Sequence, residues 1–228
     1  MKRQIITTAD GSKTIHIEGW NEHYHSVYGA IQEANHVFIK HGLLFYFESI
    51  AKNRAHPVSI LEIGFGTGLN AFITFLECQN HSAKINYVGV EAFPLPFHEL
   101  EQLNYIEQLS AQQFTNTFKA FHECPWEIPH VISPKFELTK QEKDFKDIDD
   151  QSKFELIYFD AFGARVQPEL WTEAIFQLMF DALKTDGVLV TYSAKGSVRR
   201  AMQAVGFTVE KLPGPPGKRE MLRARKGA

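Results

Sequence analysis

The chain has 228 residues, of which 44% are hydrophobic and 22% charged, and its formal net charge is −3. This composition is typical of a soluble globular domain with a full core, and no apolar run approaches the roughly 20 residues of a membrane helix. The negative charge argues against a general nucleic-acid binder, and two cysteines, Cys78 and Cys124, do not make a disulfide framework. We therefore predict one cytoplasmic domain over residues 1–228, without a signal peptide or membrane segment.

The N-terminal 50 residues predict a β-hairpin followed by a helix. Residues 5–8 and 14–17 are rich in β-formers and flank a good turn at residues 10–12. Residues 29–50 have a helical pattern of apolar side chains, which we expect to pack on the core. We interpret residues 1–50 as an extension of a core domain that comprises residues 51–228.

Two histidines between these elements, His23 and His25, raise the question of a metal site. No Cys, Asp or third His follows them at the spacing of metal ligands. We therefore predict that the chain binds no metal.

Three glycines, Gly64, Gly66 and Gly68, occupy alternate positions between an apolar run and a helical pattern. The run at residues 58–63 predicts a short buried strand, and residues 69–76 predict a helix. Glycine permits backbone angles forbidden to other residues, and a turn of this kind directs free N–H groups at a ligand. The pattern therefore indicates a ligand-binding loop.

The spacing of the glycines distinguishes between two kinds of ligand. Dinucleotide-binding folds prefer G-x-G-x-x-G, which receives a pyrophosphate. Here the spacing is G-x-G-x-G, and Glu62 stands two residues before the first glycine. A carboxylate there repels phosphate and attracts an ammonium or sulfonium group, which favours S-adenosylmethionine. The alternative is a tight strand–helix turn that binds no ligand.

A second acid, Glu91, ends the strand predicted at residues 85–91, 23 positions after the last glycine of the loop. In a βαβ unit an acid at this point accepts hydrogen bonds from both ribose hydroxyls. The alternative is that Glu91 caps the following helix. Residues 95–123 then predict helices. A charged segment at residues 135–155 contains a possible third strand followed by Asp144, which is either near an adenine or part of a solvated insertion.

A third acid, Asp160, follows the buried strand predicted at residues 154–159. Ligands of open α/β sheets bind outside the carboxyl ends of the strands, so Asp160 lies where the chemistry is expected. Alternating strands and helices predict a mostly parallel sheet, closed by an antiparallel pair. The remaining predicted elements are a helix from Pro168, a strand at 188–193, a helix at 197–205 and strands at 207–210 and 219–223.

Charge is distributed unevenly along the chain. Residues 195–228 carry a net charge of +7, whereas residues 1–194 carry −10. A basic end on an acidic body is consistent with a surface that faces phosphates. A solvated surface with a frayed tail explains it equally well.

Short motifs extend this pattern over most of the chain. Their order along the chain is Tyr24-His25-Ser26, Val37-Phe38, the loop from Leu61 to Asn70, Asp160-Ala161-Phe162, Pro168-Glu169-Leu170-Trp171, Ser197-Val198-Arg199-Arg200, Gly206-Phe207 and Lys218-Arg219-Glu220-Met221. With these motifs the chain resembles the methyltransferase domain of the MnmC family, bifunctional proteins that modify the wobble uridine of tRNA. The glycine loop is common to methyltransferases, whereas the combination of Pro-x-x-Trp, Val-Arg-Arg and Lys-Arg-Glu-Met is far more specific.

The resemblance implies an α/β fold, the Rossmann-like seven-stranded sheet of class I S-adenosylmethionine-dependent methyltransferases. It implies N-methylation of the 5-aminomethyl group of the wobble uridine in tRNA, which forms 5-methylaminomethyl-2-thiouridine. Full-length members also carry a flavin oxidoreductase domain, which we do not find in this chain. We therefore expect a stand-alone transferase, with a separate enzyme supplying the aminomethyl group.

The resemblance also assigns roles to individual residues. Asp160 is the predicted catalytic residue beside the acceptor amine, where it orients the amine rather than removing its proton. The predicted cofactor-binding residues are Glu62, Gly64, Phe65, Gly66, Thr67, Gly68, Asn70, Glu91, Asp144 and Tyr24. The predicted residues for the base and the tRNA phosphates are Phe162, Trp171, Lys195, Arg199, Arg200, Lys218 and Arg219. For Tyr24, Phe162 and Trp171, ordinary core packing is an equally good explanation.

Other functions remain open at this point. A methyltransferase that acts on a small amine needs no basic patch. An aminopropyltransferase of similar fold uses the decarboxylated cofactor. A dinucleotide-binding module without catalytic activity is a third class, against which Glu62 and the glycine spacing argue.

Overall fold

The computed structural model describes residues 2–51 and 56–227, so the predicted domain also includes Met1, residues 52–55 and Ala228, which lie outside the described residues. The described residues form two sheets. The strands are β1 Arg3–Thr7, β2 Lys13–Ile17, β3 Glu22–His23, β4 Val58–Ile63, β5 Ile85–Glu91, β6 His130–Ser133, β7 Phe136–Glu142, β8 Phe154–Phe159, β9 Leu183–Thr191, β10 Thr208–Pro213 and β11 Glu220–Arg225.

The helices connect the strands of the larger sheet and cover its faces. The α-helices are α1 Ala30–Ala34, α2 Phe45–Ser49, α3 Leu69–Cys78, α4 Phe97–Leu100, α5 Tyr105–Gln108, α6 Thr115–Glu123, α7 Glu173–Ala182 and α8 Gly196–Ala204. A π-helical stretch, Asn35–Leu44, joins α1 to α2, and short 3₁₀ turns occur at Gln112–Phe114, Phe145–Asp147 and Pro168–Trp171.

The larger sheet has eight strands in the described residues, in the order β10-β11-β9-β8-β4-β5-β7-β6. Strands β9, β8, β4, β5 and β7 are parallel, and β10, β11 and β6 run antiparallel to their neighbours. Seven of these strands correspond to the predicted methyltransferase sheet, including its antiparallel closing pair. The additional edge strand, β6, begins directly after Pro129, in a part of the chain for which no strand was predicted. It forms because the chain turns back to pair with β7 through a bulge between Val131 and Ser133.

Strand β4 lies at the centre of the sheet because its side chains are apolar on both faces. Ile60, Leu61 and Ile63 are fully buried there. On one face β4 packs under the helical segment 30–49 and α3, and on the other under α7 and α8. Parallel strands β4, β5 and β8 all end at the same edge of the sheet. This edge therefore collects the residues that follow each of the three strands.

The helical segment 30–49 approaches the sheet closely at Gly42. A Cβ atom at Gly42 would lie 3.1 Å from Cγ2 of Val190 and 3.3 Å from Cε1 of Tyr158. A larger residue would push the helix from the sheet, since interiors are packed without spare volume. Within the described residues, no helix has both the length and the apolar character that a membrane span requires.

The predicted N-terminal hairpin is confirmed as β1 and β2, and β3 extends it to a three-stranded sheet. This small sheet is anchored to the α/β core by side chains of the helical connection after β5. Asn104 Oδ1 accepts a hydrogen bond from the Lys13 backbone N–H (2.8 Å), and Asn104 Nδ2 donates to the Gly11 carbonyl oxygen (3.0 Å). The anchoring brings the segment after β2 to the carboxyl edge of the larger sheet.

Candidate active site

A cavity of about 760 Å³ opens at the carboxyl edge of the larger sheet. Four segments of the α/β core line it, and the small N-terminal sheet covers one side. The lining residues from the core include Gly64, Phe65, Gly66, Thr67, Leu69, Asn70, Glu91, Phe93, Asp144, Phe145, Lys146, Asp160, Ala161, Phe162, Gln167, Glu169 and Leu170, and those from the N-terminal sheet and its loops are Arg3, Ile17, Trp20, Tyr24 and His25.

The glycine loop connects β4 to α3 with a left-handed backbone, since φ is +90° at Gly64 and +48° at Gly66. A Cβ atom at Gly64 would lie 2.8 Å from the carbonyl oxygen of Asp160, and one at Gly66 would lie 3.2 Å from Cδ1 of Tyr24. Only glycine therefore lets the loop lie this close to both neighbours. Gly68, at φ +71°, is the N-cap residue of α3 and is not among the loop residues that line the cavity.

Glu91 closes one side of the glycine loop. Its Oε2 accepts a hydrogen bond from the backbone N–H of Gly66 (2.9 Å), and its Oε1 accepts one from the N–H of Phe93 (3.0 Å). Burial raises the pKa of Glu91, and the backbone donors oppose the shift. A carboxylate has about four acceptor positions, so two remain for the hydroxyls of a ribose. The position of Glu91 is thus compatible with its predicted role, and the backbone of the glycine loop helps to hold it there.

Asp160 lies between the glycine loop and the wall of the cavity that Ala161 and Phe162 form. Its Oδ2 accepts a hydrogen bond from Nδ2 of Asn70 (2.8 Å), and the same nitrogen donates to Oε1 of Glu62 (2.9 Å). Burial raises the pKa of Asp160 well above its ordinary value; the nearby Glu33 carboxylate adds to the shift, and the Asn70 amide opposes it. Asp160 and Asn70 line the cavity, whereas Glu62 is completely buried behind Asn70. The structure therefore does not place the Glu62 carboxylate where it could touch a ligand directly.

The loop after Asp160 forms one wall of the cavity, and side chains of the core hold the backbone of this loop. The Tyr192 hydroxyl donates to the carbonyl oxygen of Ala161 (2.8 Å), and Trp171 Nε1 donates to that of Phe162 (2.8 Å). Trp171 is 5% exposed and packs against aromatic side chains of the core. Of the two explanations that the sequence left open for Trp171, core packing is the one observed. Trp171 supports this wall through its hydrogen bond to Phe162 and does not line the cavity.

Three aromatic rings do line this side of the cavity. Phe162 contacts Trp20 and Tyr24 edge to face, with ring centroids 5.5 Å and 4.9 Å apart. Nη2 of Arg165 donates to the carbonyl oxygen of Trp20 (2.9 Å) and to the Glu22 carboxylate (3.0 Å), which holds the loop between β2 and β3 at the cavity. Sequence reasoning missed Trp20, because no local pattern tells which loop of a distant hairpin reaches a cleft.

The opposite end of the cavity is formed by Phe93, Asp144 and Lys146. Oδ1 of Asp144 accepts a hydrogen bond from the backbone N–H of Lys146 (3.1 Å), which holds the pKa of this carboxyl below its ordinary value. Phe93 is 74% exposed at the rim, so its ring is available to a ligand in the cavity. The sequence signal for Phe93 is its place two residues after Glu91, the acid that ends β5.

The predicted basic residues occupy different environments. Lys218 forms an ion pair with Glu33, and its Nζ lies 3.9 Å from the centre of the Tyr192 ring. The Glu33 carboxylate thus neutralises much of the Lys218 charge, and less of this charge is available to a phosphate. The other four lie on or near α8 and the turn before β11: Lys195, Arg200 and Arg219 are exposed, and Arg199 is half-buried.

A comparison with known families gives the class of the protein. A family model described as S-adenosyl-L-methionine-dependent methyltransferase matches residues 105–227. The chain belongs to this family. The predicted enzyme class and cofactor are therefore confirmed. Within the described residues, no group of three or more His, Cys, Asp or Glu side chains could hold a metal ion.

Individual relatives of the methyltransferase are longer proteins. The tRNA 5-methylaminomethyl-2-thiouridine biosynthesis bifunctional protein MnmC of Methylobacillus flagellatus is 28% identical over 218 residues, which cover 90% of this chain and 33% of that protein. MnmC of Hydrogenovibrio crunogenus is 28% identical over 234 residues, which cover 98% of this chain and 34% of that protein. The chain thus spans about a third of the length of the curated relatives it matches. These similarities support the resemblance to the MnmC methyltransferase domain.

Among solved structures, that of MNMC2 from Aquifex aeolicus is similar to the whole methyltransferase. The two superpose with a TM-score of 0.76 at 26% sequence identity, covering 100% of this chain and 71% of the other. This likeness extends over both the N-terminal sheet and the α/β core, and it confirms the predicted Rossmann-like fold.

The described residues fit S-adenosylmethionine. Gly64 and Gly66 line the cavity with backbone that carries no side chain, and Glu91, which lines it too, has acceptors left for ribose hydroxyls. The exposed ring of Phe93 and the Asp160 carboxylate line the same cavity and could contact an adenine and a positively charged group of the cofactor. When bound, the cofactor would supply an activated methyl group.

Proposed function

We propose that the methyltransferase transfers a methyl group to the primary amine of 5-aminomethyluridine at the wobble position of tRNA. The observation that carries the proposal is the position of Asp160, a carboxylate between a cofactor loop and a pocket with aromatic walls. The MnmC relatives, which are named for the synthesis of 5-methylaminomethyl-2-thiouridine, support this choice of acceptor.

The reaction needs little covalent assistance from the protein. When bound, S-adenosylmethionine would supply a methyl group already activated by its positive sulfur, and the amine that accepts this group would release one proton to solvent. Asp160 accepts a hydrogen bond from the amine and orients its lone pair toward that methyl group. Its negative charge also stabilises the ammonium that the transfer creates. Because the positive sulfur of S-adenosylmethionine already activates the methyl group, alignment of the amine with that group contributes most of the catalysis.

The walls of the acceptor pocket suit a flipped-out pyrimidine. A base that leaves the anticodon stack needs a replacement for its stacking partners, and aromatic side chains provide it. Trp20, Tyr24 and Phe162 present such rings within one cavity that also contains Asp160. The base would lie among these rings, with its C5 substituent directed at the carboxylate.

The phosphates of the tRNA would contact Lys195, Arg199, Arg200 and Arg219. These residues follow β9 or precede β11, near the same edge of the sheet as the cavity. Lys218 contributes less than predicted, because it is paired with Glu33. Since the acceptor must already carry a primary amine, a preceding reaction has to leave an aminomethyl group on the uridine.

The test is mass spectrometry of nucleosides from tRNA that lacks the final methyl group, after incubation with the protein and methyl-labelled S-adenosylmethionine. We expect the label in 5-methylaminomethyl-2-thiouridine, and no label with the Asp160→Ala variant, which should still bind the cofactor. Unlabelled tRNA with intact cofactor binding would overturn the proposal. Labelling of small amines in parallel reactions would then identify a small-amine methyltransferase, and product formation from the decarboxylated cofactor would identify an aminopropyltransferase.

A further inference from the structure

A buried amide links two carboxyl groups at the base of the cavity. Asn70 is 3% exposed, and its single side-chain nitrogen donates both of its hydrogens, one to Glu62 and one to Asp160. The amide therefore has no donor left for the cofactor, although it lines the cavity. The amide nitrogen therefore holds Asp160 and is itself held by Glu62, whereas Oδ1 of Asn70, buried without a hydrogen-bond partner among the described residues, remains an acceptor.

The surroundings of Glu62 are unsuited to a carboxylate anion. Glu62 lies on β4 opposite Gly89 of β5 and Tyr158 of β8, and it is completely buried. Its Oε2 and the hydroxyl of neighbouring Tyr87 are both buried without a hydrogen-bond partner of normal geometry among the described residues. Burial raises the pKa of Glu62, and donation from the Tyr87 hydroxyl opposes this rise without cancelling it. No Lys or Arg pairs with Glu62 among the described ion pairs.

A proton on Oε2 of Glu62 removes the buried charge and keeps both contacts. Oε1 continues to accept from Asn70, and Oε2 donates to the Tyr87 hydroxyl instead of accepting from it. Protonation also removes the free-energy cost of burying an unpaired charge beside Asp160 and Glu91. Burial, together with the charges of these two carboxylates, raises the pKa of Glu62 well above its usual range.

We propose that Asn70 is a positioning residue that orients the Asp160 carboxylate, and that Glu62 anchors the amide as a neutral acid without touching the cofactor. Burial raises the pKa of Asp160 as well, but Asp160 lines the cavity and has the Lys218 ammonium nearby, so the one negative charge that the two carboxyl groups keep lies on Asp160. Only the kinetic test of this inference depends on the proposed methyl transfer. It replaces the sequence-based prediction that the Glu62 carboxylate attracts the cofactor's positive groups.

The first test separates a neutral Glu62 from a charged one through the Glu62→Gln variant. Glutamine resembles protonated glutamate, so we expect the dissociation constant of S-adenosylmethionine, measured by calorimetry, to stay within about threefold of wild type. A loss of affinity of about tenfold or more would mean that a charged Glu62 contacts the cofactor and would overturn the proposal. This measurement needs no acceptor.

Infrared spectroscopy of the protein tests the proton directly. At neutral pH we expect a carbonyl stretching band of a protonated carboxyl that is absent in Glu62→Gln and present in Asp160→Asn. A spectrum in which Glu62→Gln removes no such band would overturn the neutral anchor. Both outcomes are readable even if tRNA is not the acceptor, so failure of the proposed function is distinguished from failure of this inference.

The positioning role of Asn70 predicts a change in the pH profile. In Asn70→Leu and in the smaller Asn70→Ala, Asp160 loses a donor that favours its charged form. The other charged or titratable groups that face Asp160 remain in both variants: Glu33, Lys218, Tyr192, Glu62 and Tyr87. We expect kcat to fall on the order of 100-fold and the acidic limb of the kcat profile to move to higher pH by about one unit. A uniform loss of rate at every pH, with the limb unmoved, would indicate only a structural role and contradict the proposal.

Discussion

The backbone of Gly64 lies against the carbonyl oxygen of Asp160, so closely that a Cβ atom on Gly64 would be 2.8 Å from that oxygen. The backbone N–H of Asp160 also donates to the carbonyl oxygen of Ile63 (2.9 Å), immediately before this glycine. The end of β4, which leads into the glycine loop, and the end of β8, which leads into the proposed catalytic carboxylate, are therefore in direct contact. A change in one loop must displace the other.

The Gly64→Ala variant tests this contact. Alanine is strained at φ +90° and collides with Asp160, so we expect the free energy of unfolding to fall by about 1–3 kcal/mol, with weaker cofactor binding. Urea denaturation and calorimetry measure the two effects. Gly163→Ala is the matched control, because its Cβ would have no neighbour closer than 3.7 Å. Equal effects of the two substitutions would contradict the importance of the contact.

Charge reversal on α8 tests the proposed tRNA surface. In the double variant Arg199→Glu and Arg200→Glu we expect the dissociation constant for tRNA to rise on the order of tenfold, with a smaller salt dependence, because phosphate contacts are lost. Filter binding over a range of salt concentrations measures both. The control reverses Lys84 and Lys153, which precede β5 and β8 at the opposite edge of the sheet. If both double variants weaken binding alike, the effect is one of overall charge and not of this surface.

The ion pair of Lys218 with Glu33 joins the turn before β11 to α1. Glu33 is 6% exposed, and its Oε2 also accepts a hydrogen bond from the backbone N–H of Ser26 (2.9 Å). Replacing Lys218 by Met leaves this carboxylate buried without its cation, so we expect the free energy of unfolding to fall by about 1–3 kcal/mol. Urea denaturation should show partial recovery when Glu33→Gln is added to Lys218→Met. No recovery would mean that the pair does not interact.

Acid should destabilise the protein through His25. Burial lowers the pKa of His25 to about 4, and its Nδ1 lies 3.0 Å from the Thr14 hydroxyl. The unfolded chain, with a histidine pKa of about 6.5, binds the proton first, so stability present above pH 6.5 is lost as the pH falls toward 4. His41 and His122, whose pKa values are lowered to about 4 and about 3, add to the same trend.

The check is the free energy of unfolding between pH 7 and 4.5, measured in urea. We expect His25→Gln to flatten the slope by up to about 1.4 kcal/mol per pH unit, the value for one proton. His130→Gln, at an exposed position of β6, serves as the control for the loss of one histidine. An unchanged slope in His25→Gln would show that this histidine titrates normally in the folded protein.

The sequence by itself determined the succession of seven of the eight strands of the core sheet, all except the edge strand β6. Each strand ends in a recognisable way, β4 at the glycines, β5 at Glu91 and β8 before Asp160, because local hydrophobic patterning and turn chemistry specify such elements. Parallel strands bring their carboxyl ends to one edge, so the meeting of these acids could also be predicted. The family resemblance added the reaction class, and the comparisons confirmed it.

Only the tertiary structure decided which atoms of these residues face the cavity. Glu62, chosen for its charge, lies behind Asn70, and Lys218, chosen for the same reason, is paired with Glu33. Trp171 lies in the core, whereas Trp20 reaches the cavity from a distant hairpin. The physical reason is common to all four: burial and pairing depend on contacts between segments far apart in the chain, which local sequence patterns do not encode.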